Sequence, residues 1–138
     1  MELEQCVNFV LTKAQNAIQQ LFKAELAPYG VTPGQYAVLK CLWDDNGQTA
    51  KQLAERLYLD GSTVTGILDR MEAKSLISRQ PDPKDRRALR VILTEQGSAL
   101  KAPVNAAIER ANKKALDRLD PKESGLLHKL LEELNHHS

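Results

Sequence analysis

Residues 49–93 read TAKQLAERLYLDGSTVTGILDRMEAKSLISRQPDPKDRRALRVIL. The hydrophobic spacing predicts a short helix, a sharp turn and a second helix, followed by two short strands around a charged loop. Two helices joined by a short turn that contains glycine have the spacing of a helix-turn-helix. We therefore expect this segment to decide the fold, and the rest of the chain to support it.

The first of these helices is predicted to begin after Thr49. Thr49 and Gln52 form a T-x-x-Q capping box, in which each side chain satisfies a backbone N–H at the helix start. The helix is predicted to end near Tyr58. Asp60 and Gly61 are expected to make the turn, because glycine accepts backbone angles that are costly for other residues and aspartate bonds to nearby amides.

The second helix is predicted over residues 62–74, with one apolar stripe. The stripe at positions i, i+3, i+4 and i+7 consists of Val64, Ile67, Leu68 and Met71. The opposite face consists of Ser62, Thr63, Thr65, Gly66, Asp69 and Arg70. Small hydroxyl side chains allow a helix to lie deep in the major groove of DNA, and Arg70 is expected to reach a phosphate or a guanine. The alternative is an ordinary amphipathic helix with a solvated polar face.

The hairpin is predicted from strands at 77–80 and 89–93. The loop between them holds two prolines and is expected to project Lys84, Arg86 and Arg87. Between residues 62 and 90, seven basic residues stand against four acidic ones, a local charge of +3 in a chain of net charge +1: Arg70, Lys74, Arg79, Lys84, Arg86, Arg87 and Arg90 against Asp69, Glu72, Asp82 and Asp85. Phosphate contacts require such an excess, and an arginine at a loop tip suits a narrow minor groove. The alternative is a solvated charged loop.

This segment resembles the winged helix-turn-helix of MarR-type transcription regulators. The shared features are an LAxxL helix, an S-T-V-T start to the second helix, the continuation L-x-R-M-E-x-K-x-L-I-x-R and the wing motif D-x-R-x-x-x-V-x-L-T-x-x-G. The wing motif falls on Asp85, Arg87, Val91, Leu93, Thr94 and Gly97. The resemblance implies that Asp85 braces Arg87, and that Arg87 lies in the minor groove. It covers nearly the whole chain, since the flanking helices have the expected order.

Helices are predicted on both sides of this unit. A long amphipathic helix is expected over residues 2–27, and Thr32 caps the next helix with Pro33 in its first position. After the hairpin, a helix is expected over 94–119, with Pro103 either kinking it or marking its effective start. A last helix opens at Asp120.

The predicted fold class is mainly α: a winged helix-turn-helix with a small β-hairpin wing and flanking N- and C-terminal dimerisation helices. The predicted segments are 1–31 (dimerisation), 32–93 (DNA binding) and 94–138 (dimerisation). The terminal helices carry apolar faces without an obvious partner in a small winged domain, and the resemblance implies a two-fold homodimer. Such a dimer would present two recognition helices about 34–36 Å apart to a palindromic operator in double-stranded DNA. Ser62, Thr63, Thr65 and Gly66 would face the major groove, and Arg70 and Arg79 would contact phosphates or bases.

Composition excludes several other classes. The 138 residues are 42% hydrophobic and 27% charged, which is typical of a globular protein. No apolar run is long enough for a membrane span, no signal peptide is expected, and few aromatic residues are present for stacking on single strands. Cys6 and Cys41 lack metal or disulfide spacing, so a reduced, cytoplasmic protein is expected.

Neither catalysis nor a cofactor is suggested by any motif. The histidines, His128, His136 and His137, lie near the C-terminus without the spacing of a helical metal site. We therefore expect a protein that is not an enzyme and binds no metal. The competing class is a protein-interaction module, since winged helices also serve in assemblies, although such a module would not need a basic wing.

Two forms of regulation remain open. Some MarR-type regulators sense peroxides through a cysteine on the N-terminal helix, but the corresponding position here is Leu11, and Glu25 replaces an expected tyrosine. Alternatively, the resemblance implies a small-molecule effector, often an aromatic acid or phenol, between the winged domain and the dimerisation helices. Tyr36 and Tyr58 are candidate pocket residues, with core packing as the alternative for both. Trp43 is expected in the core.

Overall fold

The structure, a computed structural model, describes residues 1–136, so His137 lies outside the described residues. Its helices and strands run in the order α1 (Val7–Leu26), α2 (Pro33–Asp44), α3 (Ala50–Leu57), α4 (Gly61–Ala73), β1 (Ile77–Pro81), β2 (Leu89–Leu93), α5 (Glu95–Ala99), α6 (Lys101–Ala115) and α7 (Pro121–Glu133). Strands β1 and β2 form an antiparallel hairpin in which Ile77 pairs with Leu93. The predicted fold class, mainly helical with a two-stranded wing, is confirmed.

The predicted helix starts at Thr32, Thr49 and Asp120 are confirmed by their capping boxes. At α3, the Thr49 hydroxyl accepts from the Gln52 amide at 3.2 Å, and the Thr49 amide donates to Gln52 Oε1 at 2.9 Å. Each box satisfies backbone donors that have no partner within the helix. Local chemistry therefore fixes where these helices begin.

The turn of the helix-turn-helix differs from the prediction. Gly61 is the first residue of α4 and does not have a positive φ, whereas Tyr58 takes the left-handed conformation with φ 56° and ψ 40°. Asp60 does not belong to the turn pair that we expected but caps α4, because its carboxylate accepts from the Thr63 amide at 2.7 Å. The reversal therefore occurs at a tyrosine, a residue type that seldom adopts positive φ.

Two long predicted helices are interrupted. The N-terminal helix is broken at Cys6, which is extended and separates a 3₁₀ turn at Leu3–Gln5 from α1. The helix predicted over 94–119 is divided at Leu100 into α5 and α6. Pro103 lies in the first turn of α6, where a missing N–H is tolerated, so it marks the effective start of that helix.

One hydrophobic core joins all three predicted segments. It includes Leu26 at the end of α1, Leu39, Leu53 and Leu68 from the helix-turn-helix unit, and Val104 from α6, each no more than 1% exposed. The predicted boundaries near residues 31 and 93 therefore do not separate independent cores. Trp43 packs against this core as expected, and its indole N–H donates to the Gly97 carbonyl at 3.0 Å.

The terminal helices leave apolar side chains outside this core. Residues 11–20 of α1 are all exposed, and α7 contains no buried residue. Together with α6 they line a groove of about 750 Å³ whose walls include Leu11, Ile18, Leu127 and Leu131. Within residues 1–136, no helix is both long enough and apolar enough to cross a membrane.

Candidate nucleic-acid interface

The start of α4 displays an ordered row of polar groups. The Asp60 carboxylate accepts from the Thr63 amide and from the Ser62 hydroxyl, both at 2.7 Å. These hydrogen bonds, led by the Thr63 amide, lower the pKa of Asp60, so this cap stays ionised at neutral pH. Ser62 and Thr63 are exposed on the surface of the helix, as the prediction of a groove-facing start requires.

Thr65 lies one turn along the same exposed face. Its hydroxyl donates to the Gly61 carbonyl at 2.9 Å, so the proton of that hydroxyl is already used. The oxygen lone pairs and the methyl group remain available to an external partner. Thr65 is therefore suited to accept a hydrogen bond or to contact a thymine methyl, and not to donate.

Gly66 and Arg70 complete this face of α4. Gly66 is half-buried, and a Cβ at that position would lie 3.8 Å from Arg70 Nη1, so the guanidinium lies over the glycine. Arg70 itself is exposed. The structure places on one helix face the five α4 residues predicted to contact DNA, together with Asp69: Ser62, Thr63, Thr65, Gly66 and Arg70.

The wing tip is polar and solvent-facing. Lys84, Arg86 and Arg87 are exposed, and the side chain of Arg87 is 98% accessible. The Asp85 carboxylate accepts from the Arg87 amide at 3.0 Å and lies 3.9 Å from Arg87 Nε. Asp85 therefore shapes the turn that carries Arg87, in the arrangement implied by the predicted brace.

Arg79, on β1, has a partner inside the chain. Its Nη2 donates to Asp69 Oδ1 on α4 at 2.5 Å, and its side chain is only 20% exposed. Its Nε is buried without a hydrogen-bond partner among the described residues. The predicted DNA contact for Arg79 therefore competes with an ion pair that joins α4 to the hairpin.

Two other basic residues also act within the fold. Lys74, at the end of α4, donates to the Gly30 carbonyl at 2.7 Å and to Gln35 Oε1 at 2.9 Å. Arg90, on β2, donates from Nε to the Gly47 carbonyl at 3.0 Å. Including Arg79, three of the seven basic residues counted in the sequence are thus engaged in structural contacts. The local excess of positive charge alone did not distinguish them from the exposed ones.

A groove of about 360 Å³ joins the recognition helix to the wing. Its lining includes Thr65 from α4, Arg79 from β1, Arg87 from the wing and Lys51 from the first turn of α3. Sequence reasoning missed Lys51, which is exposed at the start of a helix whose amide dipoles favour anions. Its position in the first turn after the Thr49 cap was the signal available in the sequence.

The two candidate effector residues are placed differently. Tyr36 is half-buried against the core, with its ring 6.4 Å from that of Trp43. Burial raises the pKa of the Tyr36 phenol. Tyr58 is 94% exposed, so core packing is wrong for this residue. It lines neither the groove between the terminal helices nor the groove between α4 and the wing. The reason is its left-handed backbone at the end of α3, which turns the side chain outward.

Of the two cysteines, Cys6 is half-buried and Cys41 is buried. Cys41 is 6% exposed, and burial raises the pKa of its thiol, which disfavours the reactive thiolate. Glu25, which stands where the peroxide-sensing branch has a tyrosine, links α1 to α6. Its carboxylate forms ion pairs with Lys114 and, at 3.3 Å, with Arg110. Its hydrogen bond with Lys114 is the main cause of the lowered pKa of Glu25. Among residues 1–136, no group of three or more His, Cys, Asp and Glu side chains is placed to hold a metal ion.

Known proteins share this sequence pattern. A family model described as the MarR family matches residues 31–89. The chain is 37% identical over 101 residues to the organic hydroperoxide resistance transcriptional regulator of Bacillus subtilis, covering 73% of this chain and 69% of that protein. In two further relatives, the matched region spans 50% and 65% of the protein's length.

Solved structures share the fold over nearly the whole chain. A probable transcriptional regulator from Pseudomonas aeruginosa superposes with a TM-score of 0.90 at 32% identity, covering 96% of this chain and 99% of the other. BpsR of Bordetella bronchiseptica superposes with a TM-score of 0.92 at 25% identity, covering 100% and 99%. Its structure is described as showing how 6-hydroxynicotinic acid regulates its DNA binding.

Proposed function

The chain belongs to the MarR family of transcription regulators, and from this premise we propose that it is a repressor. It binds a palindromic operator as a homodimer and is released by an aromatic or phenolic small molecule. Members of the family are DNA-binding proteins without enzymatic activity, in agreement with the absence of a catalytic motif from the sequence.

The observation that carries the DNA contacts is the groove shared by Thr65 and Arg87. It places the polar face of α4 and the wing on one side of the chain, so one DNA duplex meets both. Ser62, Thr63, Thr65 and Gly66 face the major groove, and Arg70 contacts a phosphate or a guanine. Lys84, Arg86 and Arg87 contact the backbone and the adjacent minor groove.

Helix α7 supports a dimer. This helix has 13 residues, none of them buried, and it packs closely against no other element of residues 1–136. Isolated helices shorter than about 12–15 residues are marginal in water. Leu126, Leu130 and Leu134 are 52%, 52% and 41% exposed, so the helix needs an apolar partner. The exposed face of α1 borders the 750 Å³ groove together with α6 and α7. In a dimer, this face of a second copy supplies the apolar partner.

A two-fold axis through this interface makes the DNA contacts symmetric. The same surface of each chain then meets the other, and each chain contributes one α4 and one wing. Two recognition helices about 34–36 Å apart match successive major-groove faces on one side of a duplex. The operator is therefore an inverted repeat.

The effector proposal rests on the resemblance and on the description of BpsR, whose ligand is an aromatic acid. A ligand that prefers a spacing of the two recognition helices unsuited to the operator lowers DNA affinity by the difference in its affinity for the two states. Binding of such a ligand therefore releases the protein from the operator. Aromatic carboxylic acids are the first compounds to add to the protein–DNA complex.

The experiment is a fluorescence anisotropy titration with labelled duplex from the DNA just upstream of the gene. The proposal predicts tight binding that survives excess unrelated DNA and weakens steeply as salt rises. Aromatic acids added to that complex should lower the anisotropy. Weak binding that is equal for all sequences would contradict the DNA-regulator proposal and favour a protein-interaction module.

A further inference from the structure

The recognition helix and the wing are joined by a direct ionic contact. Asp69 lies in the second half of α4, and Arg79 lies in the middle of β1, where it pairs with Val91 of β2. Arg79 Nη2 donates to Asp69 Oδ1 at 2.5 Å. A displacement of α4 relative to β1 must therefore stretch this contact or carry the wing with it.

The two side chains of this ion pair differ in their exposure to solvent. The Asp69 side chain is 62% exposed, whereas the Arg79 side chain is 20% exposed and its Nε is buried without a partner among the described residues. Arg79 is thus held along its length by packing, and only its end reaches Asp69. A planar guanidinium anchored in this way fixes direction better than a flexible ammonium does.

The same side chain lies in the groove that separates Thr65 from Arg87. One of these residues is proposed to contact the major groove, and the other the minor groove. The distance between them depends on the angle between α4 and the hairpin. The Asp69–Arg79 pair spans that angle, because it links α4 to the middle of β1.

We propose that Arg79 is a positioning residue, which acts through Asp69 to hold α4 and the wing at the separation that DNA requires, and is not itself a phosphate contact. The proposal rests on the proposed DNA-binding function. It assigns Asp69 a supporting role although its negative charge lies on the face of α4 that approaches phosphates.

The direction in which Asp69→Asn changes the affinity for DNA separates this positioning role from simple electrostatics. Removing a carboxylate near phosphates strengthens binding if charge alone matters. Asp69→Asn instead breaks the ion pair, so the proposal predicts weaker binding by about five- to tenfold, within the range for coupled contacts. The matched control is Glu72→Gln, which removes an exposed carboxylate of the same helix that has no ion pair among residues 1–136. Its effect should be neutral or slightly favourable.

The salt dependence of Arg79→Met gives a second readout. Methionine retains an unbranched stem for packing but removes the guanidinium. A lost phosphate contact reduces the slope of log affinity against log salt by about 0.9. The proposal predicts the same loss of affinity as in Asp69→Asn, with an unchanged slope. The single variants Asp69→Arg and Arg79→Asp should each lose affinity for DNA. The double variant that carries both changes should recover part of that loss.

The probe is a duplex selected by the wild-type protein from a random-sequence pool, and circular dichroism confirms that each variant is folded. Stronger binding by Asp69→Asn, or a reduced slope in Arg79→Met, would overturn the positioning role and make Arg79 a direct contact. Additive losses in the double variant would also contradict it. If the wild type selects no sequence, the proposed function fails first, and that outcome is distinct from the failure of the ion pair.

Discussion

The winged half of the chain, residues 32–99, and the helix α7 differ in how their apolar side chains are covered. In the winged half, buried leucines from several elements share one core, and the charged groups lie outside or are paired. In α7, the leucines are exposed and no residue is buried. The first region buries its leucines against α1 and α6 of the same chain, whereas α7 leaves its leucines exposed.

The two regions therefore expose two kinds of surface, one polar and one partly apolar. The exposed hydroxyl and basic side chains of α4 and the wing suit the charged surface of DNA. Helices α1 and α7 also expose large aliphatic side chains, among them Leu11 and Leu130, which suit another apolar surface. Substitutions in the two regions should therefore fail in different ways: one kind alters folding or DNA binding, and the other alters assembly.

The largest effect is expected from a methyl group added to the winged half. A Cβ at Gly97 would lie 2.2 Å from the Leu76 carbonyl oxygen and 3.2 Å from Leu93 Cδ2. Gly97→Ala should therefore lower the free energy of unfolding by about 3 kcal/mol, the upper range for overpacking. Thermal unfolding followed by circular dichroism measures this loss.

The matched control for Gly97→Ala is Gly125→Ala in α7, where a Cβ would meet nothing within 4 Å. Alanine is the better helix former, so this variant should be more stable by roughly 0.5–1 kcal/mol. If both variants lowered the free energy of unfolding equally, the close packing around Gly97 and the open space around Gly125 would not explain the effect.

The next effect concerns assembly. Leu131 lines the groove between the terminal helices and is 40% exposed. Leu131→Asp would place a carboxylate in the proposed interface, so the dimer dissociation constant should rise by at least about 100-fold, because burying an unpaired charge is costly. Analytical ultracentrifugation measures the constant.

Lys129→Asp serves as the control for Leu131→Asp, since it introduces the same carboxylate at an exposed charged position of α7. It should leave the dimer largely intact. An unchanged dimer in Leu131→Asp would place the interface elsewhere, and the opposite chemistry of the two regions would lose its explanation.

A smaller effect is expected at the wing. The Arg87 side chain is 98% accessible, and its one ion pair among residues 1–136 is with Asp85. Arg87→Ala should weaken operator binding by about tenfold and reduce the salt slope by about 0.9, with no change in unfolding temperature. The exposed Arg118, between α6 and α7, gives the control Arg118→Ala. Unchanged affinity in Arg87→Ala, measured by anisotropy at fixed salt, would remove the wing from the DNA contacts.

The smallest effect should be a change of preference at Thr65. Its hydroxyl proton is used by the Gly61 carbonyl, so its methyl group and lone pairs are left for a base. Thr65→Ala should shift the preferred base at one operator position and change overall affinity by about threefold. Sequences selected from a random duplex pool by each variant show the shift. A uniform loss across all sequences would count against a base contact.

Local chemistry made part of this structure predictable. Capping boxes act over three residues, so Thr32, Thr49 and Asp120 marked their helices without knowledge of the fold. The hairpin followed from β-branched residues on either side of a proline-containing loop. The polar face of α4 followed from helical period alone.

Features that depend on distant partners were not predictable. Arg79 and Lys74 counted as basic residues like Arg87, but their roles depend on Asp69 and Gln35, which lie 10 and 39 positions away. The left-handed turn at Tyr58 was wrongly assigned to Asp60 and Gly61 because glycine is the commoner choice for such angles. Tertiary packing overrides this preference.

Native mass spectrometry of the protein bound to a selected duplex tests the central claim most directly. If the apolar face of each chain is covered by a second copy while both recognition helices meet one duplex, the complex has the mass of one duplex plus two chains. No species with one chain per duplex should accumulate at intermediate ratios of protein to DNA. A saturated complex that holds a single chain would contradict the account, because α7 would then need a partner other than a second copy.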